Sequence, residues 1–110
     1  MQQLEQYRSC LEACNACADY CDMCSVACLQ EDNVKMMADC IRNNMDCAAI
    51  CRVAAAYMAR NSKYAKQMCA LCAKICQACA DECGKHDHDH CQECAKACQR
   101  CADECLKMAA

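Results

Sequence analysis

Cysteine recurs along this chain at the period of a packed helix. The first run is Cys10, Cys14, Cys17, Cys21, Cys24 and Cys28, with steps of 4, 3, 4, 3 and 4. A core-facing seam in a helical bundle repeats every ~3.5 residues, so thiols stand where other bundles carry leucine. Two later runs keep the same rhythm: Cys69, Cys72, Cys76, Cys79 and Cys83, then Cys91, Cys94, Cys98, Cys101 and Cys105. Between them lie only Cys40, Cys47 and Cys51, whose register continues through Met37, Asn44, Ala54 and Met58. Helices whose apolar stripe is sulfur must bury that stripe against one another.

Composition agrees with a thiol core. Leu, Ile, Val and Phe together number 11, a share that ordinarily signals disorder. The net charge is only −3, however, with one glycine and no proline. The apolar content is alanine and cysteine, so the chain buries a core only if the cysteines are in it. Such a core is thin, and long helices and self-association would offset that. The length suits one domain over residues 1–110.

Several classes drop out. There is no basic cluster and no Trp or Phe to stack on bases, so nucleic acid is not an expected partner. No run of ~20 apolar residues spans a membrane. The opening Met1-Gln-Gln-Leu-Glu-Gln-Tyr-Arg lacks a charged-then-apolar leader, which predicts a cytoplasmic protein with reduced thiols. A disulfide scaffold is disfavoured by the odd count of 19 cysteines, by their helical spacing, and by the near-parallel Cβ directions of neighbours on one helix. No Ser/His/Asp set, catalytic carboxylate pair or phosphate-binding glycine loop is present, so the expectation is not an enzyme.

The pattern predicts four helices, over about 4–30, 34–60, 63–83 and 90–108. Glu31-Asp32-Asn33 is a polar break able to cap the second helix; Asn61-Ser62 is the next break. Gly84 is expected in the left-handed conformation that closes a helix. Asp89 with Gln92 resembles a capping box. ACADEC at 78–83 and RCADEC at 100–105 suggest a duplicated hairpin. Short connections force antiparallel neighbours. The fold class is therefore all-α, an antiparallel up-down-up-down four-helix bundle with a cysteine-lined core.

That topology stacks the thiols in layers. Cys28, Cys40, Cys83 and Cys91 fall near one end, Cys21, Cys47, Cys76 and Cys98 near the middle, and Cys10, Cys51, Cys69 and Cys105 toward the other end. Outside, the third and fourth helices present Lys74, Asp81, Lys96 and Asp103. The first two present Val26, Ala49 and Ala56, with Met45 and Val53 nearby, a face suited to a second copy of the chain.

Cysteines three or four apart on a helix have Cβ atoms ~5–6 Å apart and make a ready two-thiolate clamp. Thiolates at low coordination number suit Cu(I); zinc takes four ligands in a tetrahedron, which facing helices would also supply. A column of thiols favours a soft monovalent ion, since bridging thiolates then leave the core near neutral. Nineteen bare thiolates in a low-dielectric core would be intolerable, so the empty protein holds neutral thiols and loading releases protons. A single buried cysteine is usually just a small hydrophobe; sixteen in three strict stripes are not, because alanine or leucine would pack as well without the oxidation risk.

His86, His88 and His90 lie in the connection between the third and fourth helices, at the end carrying Cys28, Cys40, Cys83 and Cys91. Met36 and Met37 start the second helix there. Imidazole and thioether are copper ligands, so this end reads as a mouth where ions are captured. The opposite end, with Tyr7, Tyr57, Met58, Tyr64, Met68 and Met108, reads as a packed plug.

At these residues the sequence resembles the bacterial cysteine-rich copper storage proteins, in their cytosolic branch. The likeness runs from Cys10 to Met108. It implies a homotetramer of four-helix bundles, each storing many Cu(I) ions in thiolate clusters, with the histidine- and methionine-bearing end as the copper entrance; a copper chaperone is a candidate partner, and the sequence does not name the delivery partner. Exported members carry a twin-arginine leader, absent here. Supply of copper enzymes and detoxification both stand open as uses. The alternatives are a zinc or mixed-metal thiolate buffer for detoxification, an iron–sulfur carrier or thiol-redox enzyme, and a purely structural bundle.

Overall fold

The computed structural model describes residues 2–110, with side chains from Glu5 onward. Met1, where the leader reading begins, lies outside the described residues. Four α-helices form: α1 (Gln2–Leu29), α2 (Ala38–Ala59), α3 (Ala65–Cys83) and α4 (Asp89–Ala109). Each helix packs on its two neighbours around the bundle, α1 on α2 and α4, and α3 on α2 and α4. The result is an up-down-up-down rod of 47 × 20 × 17 Å. Its axis is lined by cysteine, and alanines such as Ala13, Ala18, Ala54, Ala73 and Ala102 let the helices approach closely.

The outer surfaces are tied by polar contacts. Gln77 and Gln99 exchange amide hydrogen bonds of 2.8 and 3.0 Å between α3 and α4. Ser9 donates to Glu104 at 2.8 Å between α1 and α4. Arg52 of α2 pairs with Asp19 and Asp22 of α1. These exposed contacts each contribute little; the buried thiol and alanine surface is the larger stabilising effect.

The helix ends differ from expectation in four places. Residues Val34–Met37 form a 3₁₀ turn ahead of α2 rather than its first turn. Its tighter winding leaves Met36 exposed and buries Met37 in the bundle end. Asn33 makes no side-chain cap; its carbonyl instead accepts from Met36 N at 3.0 Å. Gly84 is right-handed, at φ −63° and ψ −18°. The carbonyls at the end of α3 are satisfied by tight turns from Gly84, Lys85 and His86 N, so no left-handed residue is needed there. The left-handed residue is Asn61, at φ 53°, a type that tolerates it.

The capping box at Asp89 and Gln92 does not form. His88 precedes the helix in extended conformation, and Gln92 Nε2 donates to His86 O at 2.7 Å and Gly84 O at 3.3 Å. Gln92 thereby ties the histidine loop back on itself. The start of α3 also moves, because Ser62 Oγ accepts from Tyr64 N at 3.1 Å and competes with the helix over its first residues.

Candidate metal centre

All nineteen cysteines are free and buried, none more than 2% exposed. The heptad spacing causes this: every thiol of a run projects to the same face, and all four faces meet on the bundle axis. The sulfurs then contact across helices. Cys17 reaches Cys47 and Cys98 at 3.5 Å each, Cys51 reaches Cys76 at 3.5 Å and Cys101 at 3.7 Å, and Cys10 meets Cys105 at 3.6 Å.

Within this column, four-thiol sets gather with all sulfurs within 4.8 Å of one another. From the loop end inward they include Cys24, Cys28, Cys40 and Cys91; Cys21, Cys79, Cys94 and Cys98; Cys17, Cys21, Cys47 and Cys98; Cys17, Cys51, Cys76 and Cys101; and Cys14, Cys72, Cys101 and Cys105. The four inner sets share members in succession: Cys21, Cys98, Cys17 and Cys101 each belong to two of those named. Shared thiolates suit bridged ions better than isolated tetrahedra, each of which would take four ligands for itself.

The expected layering is corrected at one thiol. Cys51 stands one layer inward of Cys10 and Cys105, against Cys72, Cys76 and Cys101. From Cys40 to Cys51 the second helix advances only about 16 Å at 1.5 Å per residue, too short to reach the far end. Ala54 and Met58, both fully buried, continue its seam there. With Tyr7 buried as well, the far end is closed by larger side chains.

At the loop end His90 meets the thiols. Its Nδ1 lies 3.3 Å from Cys24 Sγ and 3.5 Å from Cys91 Sγ. Its Nε2 lies 3.1 Å from Glu31 Oε1. A carboxylate carries no proton, so Nε2 must donate, which leaves the Nδ1 lone pair facing sulfur. His88 stacks on His90 with centroids 5.3 Å apart, and its Nδ1 lies 3.6 Å from the other Glu31 oxygen. His86 is apart, its Nε2 2.9 Å from Glu82 Oε2. One histidine of the three therefore touches the column, a second backs it, and the third closes its own loop. Met36, 72% exposed, stands away from the thiols.

The thiols differ in acidity. Burial first, then the charge of Cys40, pushes Cys28 up to about 11. Cys91 is raised by burial first, then by the Cys40 and Cys28 charges. Cys40 itself is lowered, by hydrogen bonds from Cys24 first and then Cys83. At the far end, the bond with Cys10 first, helped by burial, holds Cys69 up at about 12. Neighbouring thiols are thus shifted in opposite directions, Cys28 and Cys91 up and Cys40 down.

Two participants are not evident from sequence. Glu31 reads there as a break residue, yet it orients both loop histidines. Asn44 lies on the seam, but its buried carboxamide contacts four thiols, with Oδ1 accepting from Cys79, Cys83 and Cys94 and Nδ2 donating to Cys40. A polar residue at a core heptad position is the signal that marks it.

A thiol-lined bundle with a histidine at one end has close counterparts. The copper storage protein family matches over residues 3–110. The chain belongs to the copper storage protein family. The Cu(I)-bound copper storage protein BsCsp3 is 50% identical, covers 94% of this chain and 98% of its own, and superposes with a TM-score of 0.91. The metal-free form from Bacillus subtilis gives 49% identity over 94% of this chain and 99% of its own, with a TM-score of 0.88. A cytosolic copper storage protein from Streptomyces lividans, studied with five coppers, is 38% identical over 97% of this chain and 94% of its own, at a TM-score of 0.92. Across copper storage proteins the bundle is thus the shared frame.

Proposed function

We propose that this protein stores and buffers many Cu(I) ions per chain in the cytoplasm, as thiolate clusters inside one four-helix domain spanning residues 1–110. The ligands are the nineteen buried cysteines, joined at the loop end by His90 with His88 and His86 around it. The observation that carries this reading is the sharing of Cys17, Cys21, Cys98 and Cys101 between neighbouring four-thiol sets. Each Cu(I) brings one positive charge and each thiol gives up one proton, so a filled column stays near neutral in a medium that would not tolerate bare charge.

The protein is a store and not a catalyst: the groups with chemistry are ligands, and among the described residues the histidine that reaches thiols is His90, at the loop end. The family's cytosolic members, including the Streptomyces lividans relative, support the compartment. Copper enters at the loop end from a copper-carrying partner protein, and copies of the chain associate through the apolar faces of α1 and α2 into a homotetramer.

Anaerobic titration of the reduced protein with Cu(I) against a strong chelator, with thiols counted before and after, tests the reading. The expected result is saturation at a number of ions comparable to the number of thiols. Saturation at a few ions per chain, with Zn(II) taken up equally well, would replace it with a zinc or mixed-metal buffer for detoxification.

A further inference from the structure

The imidazole of His90 has two unlike sides. Behind it, Nδ1 lies 3.3 Å from Cys24 Sγ and 3.5 Å from Cys91 Sγ. In front, Nε2 lies 3.1 Å from Glu31 Oε1. The other carboxylate oxygen, Oε2, is 3.6 Å from Nδ1 of His88, whose ring stacks on His90 at 4° with centroids 5.3 Å apart. One ring therefore stands between two donor sets, sulfur on the inside and two imidazoles with a carboxylate on the outside. The outer set meets solvent first: the side chains of His88 and Glu31 are 43% and 29% exposed, whereas Cys24 and Cys91 are buried.

Hardness separates the two sets. Imidazole nitrogen and carboxylate oxygen suit Cu(II), whereas thiolates select Cu(I). Among the described residues this rim is where imidazole and carboxylate together meet thiols. The thiols behind the ring are also able to pair. Cys24 and Cys91 belong to different helices, α1 and α4, and their sulfurs are 3.9 Å apart. Closing to the ~2.05 Å of a disulfide takes a shift of about 2 Å. Cys24 and Cys28 are 3.8 Å apart, but residues four apart on one helix have Cβ atoms ~5–6 Å apart, beyond the ~3.5–4.5 Å a disulfide requires.

We propose that Glu31, His88 and Nε2 of His90 form a Cu(II) site, and that Cys24 and Cys91 reduce the ion held there so that it enters the column as Cu(I); this rests on the reading of the protein as a Cu(I) store. Two Cu(II) ions, taken in turn, each receive one electron. The first electron leaves a sulfur radical shared by the pair, and the second closes the S–S bond between Cys24 and Cys91. Both S–H bonds break, and their protons pass through the His90 ring, in at Nδ1 and out at Nε2, to water at the rim. The products are two Cu(I) ions and one disulfide. Cu(I) is the softer ion and leaves nitrogen and oxygen for the thiolates further in. The column gives up two of its nineteen ligands until a small-molecule thiol reduces the disulfide by exchange.

The test is anaerobic mixing of the reduced, metal-free protein with two equivalents of copper(II) sulfate, for the natural chain, Cys91→Ser and His88→Ala. Rapid-freeze EPR follows Cu(II), thiols are counted, and disulfides are mapped by peptide mass. In the natural chain the Cu(II) signal, split by imidazole nitrogen, should decay with the loss of one thiol per ion, and the disulfide should join Cys24 to Cys91. In Cys91→Ser the nitrogen-split signal should persist over the time in which the natural chain clears it. His88 is exposed, so its truncation leaves the bundle packed; reduction should slow by about tenfold in His88→Ala, since one partner around a metal-binding histidine is worth roughly 10–100-fold in affinity. Disulfides scattered among inner cysteines, a decay unchanged in both variants, or a Cu(II) signal without nitrogen splitting would overturn the proposal. Saturation of the natural chain by only a few ions when copper is supplied as Cu(I) would instead remove the store reading itself.

Discussion

Glu31 Oε1 stands 3.1 Å from His90 Nε2, on the side of the imidazole away from the thiols. The carboxylate fixes the tautomer, and the opposite nitrogen is left to face Cys24 and Cys91. Partners that orient a metal-binding histidine in this way are each worth roughly 10–100-fold in metal affinity. Glu31→Ala is therefore expected to weaken the first Cu(I) taken up at the loop end by about tenfold, leaving total capacity unchanged. Chelator competition at substoichiometric Cu(I) measures this, and unaltered competition would show that the carboxylate does not set the ring.

That contact also shows where sequence reading stops. The thiol rhythm alone specifies an all-α bundle, buries all nineteen cysteines and puts the histidine loop at the end with Cys28, Cys40 and Cys91. Those features follow from local periodicity. Glu31 and His90 are 59 residues apart, and their meeting depends on how two loops fold beside each other. Ranking thiols by order along each helix puts Cys51 a layer too far out, because order along a helix is not distance. The residue type of Gly84 suggests a left-handed cap, whereas tight backbone turns already satisfy the carbonyls.

Raised thiol pKa values make the empty protein sensitive to alkali. Cys28 is pushed up to about 11, by burial first and then the Cys40 charge; Cys69 is held at about 12, by its bond with Cys10 first. An unfolded thiol ionises near ~8.5. Between these values the folded chain keeps protons that the unfolded chain has released, so stability falls as pH rises. It is fully present below ~8.5 and lost through about 11 to 12. Anaerobic denaturant titrations should show the midpoint of the metal-free protein dropping across this window. The Cu(I)-loaded protein, whose thiolates are already deprotonated, should drop less. An empty protein that holds its midpoint through the window would contradict the shifts.

The far end closes the bundle by packing. Met58 is fully buried beyond the last thiol of α2, whereas Met36 at the loop end is 72% exposed. Truncating a buried methionine costs roughly 2–5 kcal/mol, and an exposed one changes stability by about 0.5 kcal/mol or less. Met58→Ala should lower the thermal midpoint of the metal-free protein by several degrees, and Met36→Ala should leave it in place. Both should bind the full complement of Cu(I). A loss of ions in Met58→Ala would make that thioether a ligand.

The surface of α1 and α2 carries exposed apolar side chains: Met23 is 56% exposed, Val26 58%, Met45 62% and Val53 40%. The corresponding faces of α3 and α4 carry exposed Lys74, Asp81, Lys96 and Asp103. α3 and α4 also expose Leu71 and Leu106, but the apolar side chains group on the α1 and α2 face; such a group marks a contact surface, and a homotetramer would cover it. Placing a charge there desolvates it on association, a cost of several kcal/mol per buried ion at the order of magnitude. Val26→Glu combined with Val53→Glu should therefore shift the protein to monomers in sedimentation velocity. Every thiol set lies inside one chain, so Cu(I) capacity per chain should stay the same. An unchanged assembly would mean that copies meet elsewhere, and a capacity that fell with dissociation would mean that neighbouring chains complete the store.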